Sequence, residues 1–402
     1  MNIVIVGAGA SGMMAALTAA EDKSNKVILL ERQSRVGRKL AATGNGRCNL
    51  TNTGASPENY HGEAPEFAVS ALTKFTPEDT LRFFRSLGLV TVTEYGGRVY
   101  PLSNTANSVV DVLRFALASR GVELRLSCTV REIRRCDNGY DVVTDDGSVH
   151  ADRLIMACGG AAGAKLGGVM DGYELLKPLG HRRTKLYPAL VQLITDTDYP
   201  RALKGVRCDA HLTLMCGGEA LCESEGEVQF TDNGISGPAV FDISREASTA
   251  GEGVQVHIDL LRDYSADAVF EMLDAQRERL SEHECNELFT GILHGRLGRT
   301  VVKYASLAPA YPIAALSDKQ LRHAAACCKD FVLTVKGTEG FDSAQVTAGG
   351  IKTSGLDPDT LESWFMPGLF ICGELLDIDG DCGGYNLQWA WASGHLAGRL
   401  GK

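Results

Sequence analysis

The sequence predicts an α/β protein: a parallel-sheet domain divided in sequence, with a β-rich and helical insertion between its two parts. Three observations predict it. Residues 1–32 read as strand, glycine turn, helix and strand; residues 368–400 read as a buried strand, a loop and a long helix; and residues 190–260 between them are short alternating runs broken by glycines.

The first stretch justifies itself residue by residue. Ile3 to Val6 is short and β-branched, as suits a strand covered on both faces. It runs into Gly7-Ala-Gly9-Ala10-Ser11-Gly12, then a helix-forming run of Ala, Leu and Met, then Val27 to Leu30 ending at Glu31. In a dinucleotide-binding unit of the Rossmann type, the first glycine makes the tight turn. The second lets a pyrophosphate approach the backbone, and the third lets helix and strand pack closely. Unpaired N–H groups and the positive end of the helix dipole favour phosphate there. Glu31 stands where a carboxylate accepts hydrogen bonds from an unphosphorylated ribose diol, which suits FAD or NAD better than NADP.

Composition narrows the class. A chain of 402 residues with 44% hydrophobic and 22% charged residues is an ordinary globular protein able to bury a large core. Its formal charge of −10 argues against nucleic acid as the main partner. No apolar run is long enough to span a membrane, and the apolar N-terminus lacks a basic leader segment, so a membrane partner is not expected. The twelve cysteines show no CxxC pair, which suggests free thiols in a reducing cytoplasm and no metal site. Nothing in the sequence speaks to oligomeric state.

Residues 32–52, RQSRVGRKLAATGNGRCNLTN, set Arg32, Arg35, Arg38, Lys39 and Arg47 among small residues, with glycines at 37, 44 and 46. Cations and close backbone approach suit a diphosphate. This loop is similar to that of the BaiN/YhiN-like family of FAD-dependent oxidoreductases, and the resemblance extends over nearly the whole chain. By that resemblance the loop passes under the flavin and its pyrophosphate at Arg38, Lys39, Thr43, Gly44, Gly46, Arg47, Cys48 and Asn49. Cys48 also raises the idea of a redox thiol with a pKa lowered by Arg47, but no second cysteine lies close in sequence, so a packing role is expected.

Residues 53–120 read as mostly helical, with a helix starting at Pro77 and ending by Gly88, a turn or hairpin over 96–104, and a helix from Ser108 to Ser119. Gly121 to Arg134 alternates as one strand, and two more strands joined at Asp146-Gly147 follow. The resemblance implies that the strand bearing Val130 brings backbone near the adenine. Residues 152–160 read as a buried strand ending in a small-residue turn, and the resemblance places Ala157, Cys158, Gly159 and Gly160 beside the cofactor. A helix from Gly172 to Leu179 closes this part.

The expected domain boundaries are 1–186, an insertion at 187–344, and 345–402. Within the insertion, FTDNGISGP (230–238) resembles a family signature and reads as a rigid turn into a helix from Ala239 to Ala247 capped by Ser236. No nearby base supports a nucleophilic serine. His283-Glu284-Cys285 reads as part of a surface helix.

The final stretch, GLFICGELLDIDGDCGGYNLQWAWASGHLAGRL, carries the most specific resemblance. It implies that Gly373, Glu374 and Asp377 face the cofactor, and that Gly384, Tyr385 and Asn386 open a helix pointing at the flavin's pyrimidine edge. There the helix N-terminus stabilises negative charge on reduced flavin. Asp379 and Asp381 read equally as loop acids in solvent.

The resemblance implies hydride transfer through flavin N5, with NAD(P)H as transient donor and a small-molecule enone of bile-acid or steroid type as substrate. Two alternatives stand beside it: an amine oxidase of small amino-ketones using O2, and a flavin-binding regulatory protein without turnover. Tyr385, Tyr100, Cys48 and several histidines could each donate a proton, and the sequence singles out no catalytic residue.

Overall fold

β1 (Asn2–Val6) and β2 (Lys26–Leu30) pair in parallel, Ile3 opposite Val27 and Val6 opposite Leu30, with α1 (Ala10–Ala19) as the crossover. The strand Arg153–Met156 adds to the other side of β1, Leu369–Ile371 lies beyond it, and Glu123–Arg125 flanks β2, giving a five-stranded parallel sheet. The eight apolar residues Ile3 to Val6 and Val27 to Leu30 are almost wholly buried, as strands covered on both faces require. The computed structural model describes residues 1–402 and divides them into two compact units, 1–187 with 345–402, and 188–344.

The last helix, Tyr385–Gly398, packs directly on α1. A Cβ at Gly394 would sit 2.4 Å from Ser11 O, and one at Gly398 2.6 Å from Ala15 O, so the two backbones cross at a distance only glycine permits. The same helix buries Trp389, which donates to Gly373 O (3.1 Å), and Trp391, which donates to Leu50 O (2.8 Å). Gln388, fully buried, accepts from the Thr51 and Thr80 hydroxyls (2.7 and 2.8 Å) and donates to Phe75 O (2.8 Å). Segments from residues 50–80 are thereby tied to the far end of the chain by bonds whose buried polar atoms are all satisfied.

The second unit is a closed six-stranded barrel in the order Leu193–Thr195, Gly234–Ser236, Glu219–Phe230, Arg207–Cys216, Val254–Asp259, Phe331–Thr338, every pairing antiparallel. Closure leaves no open edge. Helices Ala266–Arg279, Gly295–Tyr304 and Asp318–Lys329 belong to the same unit, and Phe230, Phe289 and Phe331 lie in its core. No helix of either unit is long and apolar enough to cross a membrane.

Three local expectations are corrected and one open reading is resolved. Gly121–Arg134 is not one strand: Glu123–Arg125 joins the parallel sheet, while Val130–Cys136 starts a separate three-stranded antiparallel sheet with Gly139–Thr144 and Gly147–Ala151. The break falls where Ser127 turns left-handed (φ 52°) and where the Ser127 and Cys128 N–H groups donate to Gln33 O and Glu31 O. The helix after residue 237 spans Pro238–Thr249 and has no Ser236 cap; Ser236 lies in a strand, and Gly237, which has no side chain to accept a bond, holds the N-cap position. His283-Glu284-Cys285 is not helical surface, since Cys285 is buried at the start of a short 3-10 turn. Of the two readings left open for Asp379, the buried one holds: it lies in a two-residue ladder with His61.

Candidate cofactor site

The site begins where β1 ends. Gly7 donates to Leu30 O (2.8 Å) in a left-handed conformation (φ 104°), and a Cβ there would lie 2.4 Å from Ala157 O. A Cβ at Gly12 would lie 1.8 Å from Gly7 O, so α1 seats against the turn only because residue 12 has no side chain. At Gly9, by contrast, a Cβ would meet nothing within 4 Å. α1 opens at Gly9 without a side-chain cap, which leaves its first N–H groups for an anion; Ala10 and Ser11 form its first turn. Glu31 accepts from Ala8 N through one oxygen and from Gln33 N through the other, both at 2.8 Å, which fixes its carboxylate beside the turn. Val130 follows Cys128, whose N–H donates to Glu31 O at 2.9 Å, so it stands close to this end of the sheet.

The basic loop folds against two other segments. Arg32 donates to Gly167 O (3.0 Å), and Arg38 to Gln33 Oε1 (2.6 Å) and Lys165 O (3.0 Å). Arg38 and Lys39 open the short helix α2 (Arg38–Ala42). Lys39 pairs with Glu374 at 2.6 Å, and the other oxygen of Glu374 accepts from Thr347 N at 2.9 Å. Thr347 Oγ1 in turn accepts from Ala162 N (2.9 Å), and a Cβ at Gly160 would meet that oxygen at 2.4 Å. Lys39, Gly160, Thr347 and Glu374 therefore form one contiguous patch. The only sign of Thr347 in sequence is the small-residue run AQVTAGG.

Thr43 to Asn49 is a tight turn with Gly44, Asn45, Gly46 and Cys48 all at positive φ. Thr43 donates its hydroxyl to Leu40 O (2.7 Å) and accepts Cys48 N at its carbonyl (2.9 Å). Gly44 stands over Asn49, and Gly384 approaches Asn49 Oδ1 so closely that a Cβ there would meet it at 2.9 Å. That Asn49 oxygen is buried and has no hydrogen-bond partner, and neither has the buried Tyr173 hydroxyl. A buried acceptor and a buried hydroxyl without partners mark places where a bound molecule would complete the bonding. Tyr173 too escaped sequence reading.

The guanidinium of Arg47 is paired with Glu94, bonded to Asn104 and stacked 4.0 Å from the Tyr100 ring centre. Cys48 is fully buried, with its thiol pushed up to about 12 by desolvation, in keeping with the packing role expected of it. Burial holds Cys158 at about 12 as well, so both stay protonated thiols near neutral pH.

At the C-terminal end, Gly373 donates to Ser393 Oγ (3.0 Å), and buried Asp377 accepts from Glu63 N (3.1 Å). Asp381 accepts from Asn59 Nδ2 (3.0 Å) and pairs with His61 (2.7 Å). Asn386 spends its amide on the loop, accepting from Gly380 N (2.8 Å) and donating to Gly380 O (2.6 Å). The last helix opens at Gly384 (φ 104°) with no side-chain cap, and Tyr385 O accepts the Tyr60 hydroxyl (3.1 Å). The acidic loop is thus held on both sides, and a second uncapped helix N-terminus stands beside Asn49.

A family model described as the HI0933-like protein Rossmann domain matches residues 1–400. The chain belongs to the HI0933-like family. Among relatives of this HI0933-like chain, a protein of Clostridium scindens named 3-dehydro-bile acid delta(4,6)-reductase is 41% identical over 99% of this chain and 98% of its own length. An Escherichia coli protein named ribosomal RNA dihydrouridine synthase is 30% identical over 98% of this chain and 96% of its own. Among solved structures, a 3-ketosteroid-delta4-(5alpha)-dehydrogenase from Rhodococcus jostii RHA1 in complex with 4-androstene-3,17-dione is 16% identical, with 98% of this chain and 95% of that chain covered at a TM-score of 0.49.

Proposed function

We propose that this chain is an FAD-dependent oxidoreductase that saturates a C=C bond conjugated to a carbonyl in a bile-acid-like or steroid-like small molecule, with NAD(P)H as electron donor. The observation that carries the reading is the 41% identity, end to end, to a protein named for that reduction. The donor set of the site supports the cofactor: an uncapped α1 beside open space at Gly9 for a pyrophosphate, and Glu31 beside it for a ribose diol. The orphaned Asn49 Oδ1 is an acceptor for a ring N–H. Bound there, FAD supplies hydride exchange at N5. Lys39 and Glu374 hold the loop in place, and the N-terminus of the last helix offers partial positive charge toward which negative charge can develop.

A second reading rests on the 30% identical relative named for making dihydrouridine in ribosomal RNA. Uracil also presents a C=C bond conjugated to a carbonyl, so the bond chemistry is shared and the substrates differ. Charge separates them. In residues 188–344, Asp and Glu outnumber Lys and Arg by 24 to 14, whereas in the remainder they balance at 26 each. The whole excess of negative charge thus lies in the inserted unit, a poor match for a polyanion.

The test is anaerobic. The purified protein should be yellow, bleach with NADH or NADPH, and recover its colour on addition of a 3-oxo-Δ4 steroid enone. Recovery with unmodified ribosomal RNA but not with the enone would establish the second reading. Colourless protein that takes up no FAD, or recovery only by O2 during amine oxidation, would overturn the proposal.

A further inference from the structure

The small three-stranded sheet carries a cluster that the cofactor site does not use. His150 stands directly opposite Asp141 across one ladder, and Cys136 stands opposite Gly139 across the next. Because strand side chains alternate with period two, residues 139 and 141 share a face, and Cys136, Asp141 and His150 converge on it. His150 Nδ1 lies 3.8 Å from Cys136 Sγ and 3.3 Å from Asp141 Oδ1, and the three donor atoms all lie within 4.8 Å of one another. Around a tetrahedral zinc ion, with Zn–S of about 2.3 Å and Zn–N and Zn–O of about 2.0 Å, such donors stand about 3.6 Å apart for S···N and about 3.3 Å for N···O. The cluster already has nearly those spacings.

The other ring nitrogen adds a second feature. His150 Nε2 lies 3.7 Å from Asp152 Oδ1, and the second oxygen of Asp152 accepts from Asn2 N at 2.6 Å. A carboxylate anchored on the sheet and facing the far nitrogen is the arrangement that fixes a metal-binding imidazole in the right tautomer. Arg134, across the ladder from Asp141, is the cation that would oppose an ion here, and it is paired with Glu132 at 2.6 Å. His150 and Asp141 are about half exposed, which leaves the fourth position to water.

We propose that Cys136, Asp141 and His150 form a site for a thiophilic divalent cation, Zn2+ in class, with Asp152 as the residue that orients the imidazole. Thiolate and imidazole donors set it apart from sites for Ca2+ or Mg2+, which prefer oxygen. The ion would clip the ends of three strands together. No spacing rule reveals it, because the ligands come from positions 136, 141 and 150 on three strands rather than from a CxxC pair.

Co2+ is the probe, added to the chelator-treated, cofactor-bound full-length protein. The expected result is ligand-field absorption at the red end of the spectrum, clear of any flavin band, saturating at one equivalent and displaced by Zn2+. Cys136→Ser should abolish the tetrahedral thiolate signature. His150→Ala should weaken binding at least tenfold, and Asp152→Asn should weaken it while leaving the band shape intact. Zn2+ should also raise the melting temperature of the wild type but not of His150→Ala. An unchanged band in Cys136→Ser, which assigns the metal to another of the chain's cysteines, or no band at all would overturn the proposal.

Discussion

Lys39 Nζ lies 2.6 Å from Glu374 Oε2, a contact between residues 335 positions apart. It links the basic loop after β2 to the turn after the strand Leu369–Ile371, and Glu374 also holds Thr347 N. Both side chains keep some solvent access, at 31% and 21%, so the pair contributes under about 1 kcal/mol to folding. Its value lies in position. Glu374→Ala should leave the melting temperature of the cofactor-free protein within a degree or two and weaken FAD binding about tenfold or more, read by flavin fluorescence titration. A large loss of stability with unchanged FAD affinity would contradict it.

Gly9 and Gly12 separate packing from binding. Nothing stands within 4 Å of a Cβ at Gly9, whereas a Cβ at Gly12 would lie 1.8 Å from Gly7 O. Gly12→Ala should therefore destabilise the protein by several kcal/mol, because backbone must move to admit the methyl group. Gly9→Leu should fold with stability within about 1 kcal/mol of wild type and lose FAD. Urea unfolding paired with flavin content distinguishes the two.

Gln388 is a buried hub whose removal strands three partners. Gln388→Leu would leave the Thr51 and Thr80 hydroxyls and the Phe75 carbonyl without it, at a cost of about 3 kcal/mol. Adding Thr51→Val and Thr80→Val should recover part of that loss, since apolar replacements remove the orphaned groups. Chemical denaturation of the single and triple variants measures the difference.

Acid should weaken the protein through His181. Its ring is 2% exposed, its Nε2 meets Ser363 Oγ at 2.9 Å, its Nδ1 has no partner, and burial pushes it down to about 4 from the ordinary 6.5. The neutral form is the one the fold accepts, so the unfolded chain takes up the proton first as pH falls. The stability held above pH 6.5 is lost progressively toward pH 4, by about 2–3 kcal/mol. His181→Leu should flatten that slope while costing about 1 kcal/mol at neutral pH, measured by thermal unfolding across the range.

The α/β class was legible because β1, the glycine turn, α1 and β2 each state the same thing in their own terms: burial pattern, turn residues and helix propensity agree over 30 consecutive residues. Agreement failed where a local pattern continued through a change of partner. The alternation of 121–134 carries straight across Ser127, and only its left-handed backbone, bonded to the end of β2, reveals the break. Charge is no better a local guide. Asp379 leaves a solvated and a buried reading equally open, and the pairing of Arg47 with Glu94, 47 residues away, lies outside any local window. Lys39 and Glu374 each read as site residues on their own, but their meeting is a property of topology that no window of sequence contains.

The glycine-mediated seam between α1 and the last helix bears on how the molecule is made. A ribosome releases α1 more than 360 residues before the helix that must cover Ser11 and Ala15, so the small, apolar face of α1 stays bare through most of synthesis. The barrel, whose strands all fall between those two helices in the chain, emerges entire during that wait. Nascent chains stalled before residue 385 should accordingly hold a protease-resistant barrel and an N-terminal segment that still binds a holdase chaperone.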